Sequence, residues 1–114
     1  MRRIANVLML DTVTSAATSS VYTNNLCDAC SIQISGTFTS AVVYVQGKLN
    51  PDIDDWVNIA VIDLSNYTVD SDGISNKKLY EVGIDGVQFV RINAATVTGG
   101  NLSAYVSFFD TSAQ

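Results

Sequence analysis

The strongest constraint in this sequence is its period. From Cys30 to Ser35, from Val87 to Asn93 and from Leu102 to Phe109, the side chains sort into two alternating sets. A strand sends successive side chains to opposite faces, so this pattern builds sheets with one face turned to a core. No segment sustains a helical period. The apolar positions are dominated by β-branched and aromatic residues, which favour strands. Turn residues recur at the spacing of sandwiches and barrels. The expected fold is therefore all-β: an antiparallel β-sandwich, Ig-like or jelly-roll, with seven to eight strands.

The individual segments read as follows. Ile4 to Leu10 is a strand or an extended arm, and residues 1–20 form either an N-terminal arm or an edge strand of one domain spanning 1–114. Asp11 to Ser20 is a loop or weak edge strand. Cys30 to Ser35 is a half-buried strand that Gly36 ends or bulges. Ala41 to Gly47 is nearly all apolar and so central. Asn50 to Asp55 is a polar turn, and Trp56 to Leu64 is the returning strand of a hairpin. In that strand Trp56, Asn58, Ala60 and Ile62 share one face, which points Trp56 to the core. Ser65 to Gly73 is a polar loop and Leu79 to Val82 a short strand. Gly99-Gly100-Asn101 carries the signal of a tight hairpin, and Thr111 onward reads as a tail.

The 114 residues suit one domain, and a chain of this size buries about 65% of its unfolded surface. Charged residues make up only 15%, well below the usual share of about 25%. Such a surface is either wetted by Ser, Thr and Asn or covered in the working state. The net charge is −5 and no basic stripe exists, so the chain has no footprint for nucleic acid. The acidic balance also disfavours an anionic membrane surface. The seven-residue segment Ile4 to Leu10, broken by Asn6, makes a poor signal-peptide core.

Catalytic chemistry has few candidates. There is no histidine, so triads built on that base are excluded within one chain. Cys27 and Cys30 form a CxxC, yet zinc would need two further ligands, and no helix follows to make a redox unit. They read as two thiols opening a strand, with a local disulfide or a metal shared between chains as alternatives. Asp52, Asp54 and Asp55 crowd beside Pro51 as a solvated turn; calcium binding is the alternative. Asp70 to Gly73 resembles part of a calcium loop, but Leu79 stands where the closing acid belongs. Asn66-Tyr67-Thr68 and Asn101-Leu102-Ser103 match the glycosylation pattern. No catalytic residue, cofactor or metal is expected, and the chain is not expected to be an enzyme. Trp56 with Tyr44 is the best candidate for a ligand platform. The apolar positions Ile4, Val7, Leu8 and Leu10 are the best candidates for an interface, through addition of a strand to a neighbour.

The stretch Val43 to Leu49, an acidic turn and then Trp56 to Ala60 resembles a hairpin of small virion accessory proteins of tailed bacteriophages, and Gly83 to Ile92 is similar to the second half of that pattern. The turn Asn50 to Asp55 departs from the more usual Asp-Gly. The resemblance covers roughly half the chain, Val43 to Arg91. It implies a capsid decoration, head-fibre or tail accessory protein that is non-enzymatic, forms a homo-oligomer, often a trimer, and contacts the major capsid protein in the virion. The rival expectation is a carbohydrate-binding module or receptor-binding tip, which would need Trp56 and a tyrosine exposed together.

Overall fold

The structure, a computed structural model, describes residues 2–111. Among these residues it is a sandwich of two antiparallel sheets containing eleven strands and no helix. The first sheet has the order β1-β11-β4-β9-β7-β8. Its members are β1 (Arg2–Val13), β4 (Ala29–Thr37), β7 (Val61–Asp63), β8 (Thr68–Asp70), β9 (Leu79–Gly83) and β11 (Asn101–Asp110). The second has the order β2-β10-β5-β6, with β3 also on β10. Its members are β2 (Ala17–Thr18), β3 (Tyr22–Thr23), β5 (Ser40–Lys48), β6 (Val57–Ile59) and β10 (Phe89–Thr98).

Alternation fills the space between the sheets. Ile32 and Ile34 from β4, with Leu102, Ala104, Val106 and Phe108 from β11, meet Val43 and Val45 from β5 and Val90, Ile92 and Ala94 from β10. Each large aliphatic or aromatic side chain buried this way contributes about 1.5–3 kcal/mol. Tyr22 stacks on Phe108 with ring centroids 3.7 Å apart and planes 9° from parallel. Cys30 opens β4 facing inward, and Cys27 precedes it in a buried turn.

β1 lies at one edge of the first sheet and pairs only with β11, from Arg2 opposite Asp110 to Val13 opposite Leu102. It runs past Leu10, so the segment expected to be a loop or weak edge strand from Asp11 contributes three more residues of strand. Three register shifts interrupt it. Such bulges twist an edge and blunt its tendency to recruit stray strands. Of the expected tail only Thr111 is described; its backbone N–H and hydroxyl both donate to the Asp28 carboxylate.

Three local expectations are corrected. First, Gly99-Gly100 does not close a hairpin. β10 and β11 belong to different sheets, and the pair of glycines turns the chain across the sandwich. Phe38 and Thr39 carry β4 to β5 the same way. The two arches lie against each other, with Thr37 opposite Asn101 and Ser40 opposite Thr98. A side chain at Gly100 would collide with the Thr37 carbonyl, and one at Gly99 with the Thr39 side chain. Second, Trp56 to Leu64 is not one strand. Its first part pairs with β5, Gln46 opposite Asn58, as the expected hairpin requires. The chain then leaves that sheet at exposed Ala60 and enters the other as β7. Third, the 65–73 loop contains β8, which pairs Ile62 with Val69. Asp63 organises the turn between β7 and β8: Ser65 donates to its carboxylate from N–H (2.9 Å) and hydroxyl (2.6 Å), and Lys78 pairs with it at 3.1 Å. These short strands raise the count from the expected seven or eight to eleven.

Candidate interaction surfaces

Among the described residues, no three Cys, Asp, Glu or His side chains come together as a metal-binding group. Cys27 and Cys30 are both buried free thiols. Burial pushes the Cys27 thiol up, against the lowering effect of a Tyr22 contact at 3.9 Å. Burial also pushes Cys30 up to about 12. Neither thiol is poised as a nucleophile, because the thiolate is the reactive form. In the acidic turn, Asn50 Oδ1 accepts the Asp52 N–H at 2.9 Å, and the Lys48 ammonium donates to the Ile53 carbonyl at 2.9 Å. Asp72 N–H likewise donates to Asp70 Oδ1, closing a local turn. What the chain offers is surface, in three places.

The first surrounds Trp56. The alternation expected to carry it into the core ends one strand too early, and Trp56 stays half-buried on the outer face of the second sheet. The Lys48 ammonium lies 4.6 Å and the Arg91 guanidinium 4.4 Å from its ring centroid. Arg91 Nε donates to Gln46 Oε1 at 2.8 Å, and Gln46 Nε2 donates to Asn58 Oδ1 at 2.8 Å. Cation–π contacts of this kind are worth about 0.5–1 kcal/mol at exposed sites. Tyr44 stands one outward position further along β5 and turns its ring towards Gly73. The indole thus packs on two cations.

The second is one end of the sandwich, formed by the turns before β4, after β5 and before β10. Asn24 anchors it from a buried position. Its Nδ2 donates to the carbonyls of Cys27 (2.9 Å), Ile84 (3.3 Å) and Val87 (2.9 Å), and its Oδ1 accepts the Cys27 N–H (2.9 Å). Two loops distant in sequence are thereby fixed together. Next to them Leu49, Ile53, Val57 and Val87 line a groove of about 360 Å³. Leu26 (62%), Leu49 (65%), Ile53 (48%) and Val57 (64%) are exposed. Sequence reasoning missed this cluster by treating Asn50 to Asp55 as plain solvated turn. Leu49 and Ile53, large aliphatic groups inside a turn, were the available signal.

The third is the outer face of the first sheet. Here β1 contributes Leu8, which is 42% exposed. Ile4 and Val7 pack against the core, and Leu10 is buried at 3% within the sandwich. Of the four residues expected at an interface, Leu8 alone is exposed.

Comparison with known proteins adds to this geometry. No curated protein matches the sequence. The crystal structure of the SPBc2 prophage-derived protein YomS is similar to this fold with a TM-score of 0.79 at 15% identity, covering 92% of each chain. The crystal structure of the PBSX exported protein XepA gives a TM-score of 0.80 at 17% identity, covering 91% of this chain. The chain spans 37% of the length of that XepA chain. At such identities the likeness concerns the fold. The family model of XepA, however, matches residues 3–105, nearly the whole sequence, and the chain belongs to the XepA family.

Proposed function

We propose that this chain is a non-enzymatic structural component of a phage particle, acting as a capsid decoration protein that binds copies of itself and the major capsid protein. The observation that carries this reading is the apolar end of the sandwich. The core is already complete, yet Leu49, Ile53 and Val57 stand exposed around one groove. Contiguous apolar surface on a small folded protein marks a place where another protein sits. The origin of a similar fold in a prophage-derived protein, YomS, supports a phage context. The lack of histidine and the two unreactive thiols support a binding role over a catalytic one.

The test is co-sedimentation of the purified protein with particles that lack it. The wild-type chain is expected to pellet with the particles and to appear in reconstructions as added density on the shell. Leu49→Asp with Val57→Asp is expected to abolish pelleting while leaving the circular dichroism spectrum unchanged, since both side chains are exposed in the free protein. A double variant that still pellets would remove this end from the contact. Absence of the wild-type protein from particles would overturn the reading.

A further inference from the structure

Charge divides the two sheets unequally. The strands of the first sheet carry Asp11, Asp63, Asp70, Glu81 and Asp110. Those of the second contain no acid, and Lys48 and Arg91 are their only charged residues. In a chain of net charge −5 such a face is an exception. Neither cation is neutralised: among the described residues, Lys78 with Asp63 is the only ion pair. Arg91 is nevertheless held in place. Its Nε donates to Oε1 of buried Gln46 at 2.8 Å, and Gln46 Nε2 donates onward to Asn58 Oδ1 at 2.8 Å. The indole of Trp56 lies 4.4 Å from the guanidinium. The terminal amino groups of Arg91 have no hydrogen-bond partner among the described residues. A guanidinium fixed at Nε, with its terminal N–H groups unspent, is a fork prepared for a carboxylate or a phosphate.

We propose that the outer face of the second sheet binds an acidic sugar, a saccharide unit bearing a carboxylate or phosphate group. The terminal N–H groups of Arg91 take the anionic group. Lys48 adds the second positive charge: its ammonium donates to the Ile53 carbonyl at 2.9 Å and has further N–H groups to give. The sugar hydroxyls meet amides. Asn58 has spent only its carbonyl oxygen, on Gln46. Asn93, one outward position along β10 from Arg91, makes no side-chain hydrogen bond among the described residues. That step is about 7 Å along the strand. Tyr44 stands opposite Asn93 on β5 and supplies a half-buried ring with a polar tip.

The number and kind of these groups select the ligand. Two cations are too few for the phosphates of a nucleic acid. Docking on an anionic membrane takes a larger cluster of Lys and Arg, and the net charge of −5 opposes it. A carboxylate-rich peptide would leave the amides of Asn58 and Asn93 and the ring of Tyr44 without a role. One anionic group set among hydroxyls uses them all. The site goes beyond the assembly reading above and draws on none of the exposed aliphatic side chains which that reading assigns to the capsid.

Calorimetric titration of the full chain tests it, with the emission of Trp56, the sole tryptophan, as a reporter at the site. Two probes separate the sources of the anion: a hexasaccharide alternating glucuronate with N-acetylglucosamine, and glucose 1-phosphate. At least one is expected to bind with a dissociation constant below about 1 mM and to change the Trp56 emission, while the neutral glucose hexamer does neither. Arg91→Ala should weaken binding about tenfold or more, and Arg91→Lys should fail to restore it, because an ammonium lacks the fork. Lys77→Ala removes a cation that lies over Phe38, off this face, and should leave binding unchanged. All variants should keep the wild-type circular dichroism spectrum. No binding of either probe up to about 10 mM, a neutral hexamer bound as tightly as the acidic probes, or inorganic phosphate bound as tightly as the sugars would each overturn the proposal. So would poly-glutamate or phosphatidylglycerol vesicles bound where the sugars are not. Acidic-sugar binding by a chain that ignores particles would leave this site standing and sink the capsid reading. Pelleting without sugar binding would do the reverse.

Discussion

At the scale of single residues, Cys30 shows how a sequence motif can be read by its surroundings. A CxxC suggests redox or metal chemistry, yet this thiol is fully buried among the core side chains of β4. Burial is the largest cause of its raised pKa, with the neighbouring charges of Cys27 and Glu81 adding to it, and together they bring it to about 12 from an ordinary 9.0. In the unfolded chain the thiol loses its proton from about pH 9 upward, whereas the native state keeps it. The native state then binds more protons than the unfolded one, so stability falls as pH rises through that window. Below it, the thiol contributes no pH dependence. The slope for one such group is about 1.4 kcal/mol per pH unit. The raised values of Cys27, Tyr22 and Tyr80 act in the same direction. Urea midpoints measured from pH 7 to pH 11 should therefore hold steady and then decline, and Cys30→Ala should flatten part of that decline. Equal slopes in the two proteins would mean that the thiol is solvated.

At the scale of elements, the crossing of two arches fixes the connection between the sheets. Gly100 has φ 151° and sits against the Thr37 carbonyl, and Gly99 has φ 75° against the Thr39 side chain. Alanine at position 100 must push β4 and β11 apart at the point where both leave their sheet. Gly100→Ala is expected to destabilise by at least ~2 kcal/mol, seen as a lowered urea midpoint, whereas alanine at Gly83, which has open space, should change stability by less than ~1 kcal/mol. The strands themselves were legible because alternation is a local property: Ile32 and Ile34, or Val106 and Phe108, declare their inward face within a few residues. The connection at Gly99-Gly100 was not. Two strands joined by two glycines read as a hairpin whether they pair with each other or cross a sandwich, since the difference lies in which distant strands flank them. The same holds for Trp56, whose apparent core phase depended on Ala60 and Ile62 continuing its strand. The chain changes sheets between them, so a correct local period gave a wrong burial.

At the scale of the whole molecule, the strands are not equal in what they hold. β11 supplies Leu102, Ala104, Val106 and Phe108 to the core and lies between β1 and β4. Without it, β1 has no strand to pair with, and Met9 and Leu10 lose their seat. Removing residues 101–114 is thus expected to abolish the cooperative unfolding transition seen by circular dichroism, even though most of the chain remains. β8 is the opposite case. It closes the far edge of the same sheet, its Val69 is 71% exposed and the preceding Tyr67 is 78% exposed. Tyr67 also adopts φ 59°, a conformation that tyrosine adopts only with strain. Replacing residues 66–71 by a short Gly-Ser turn should keep a cooperative transition at a similar midpoint, because little apolar surface returns to water. If the β8 replacement unfolded the protein while the truncated chain still melted cooperatively, the core would lie towards the β7–β8 edge rather than around β4 and β11.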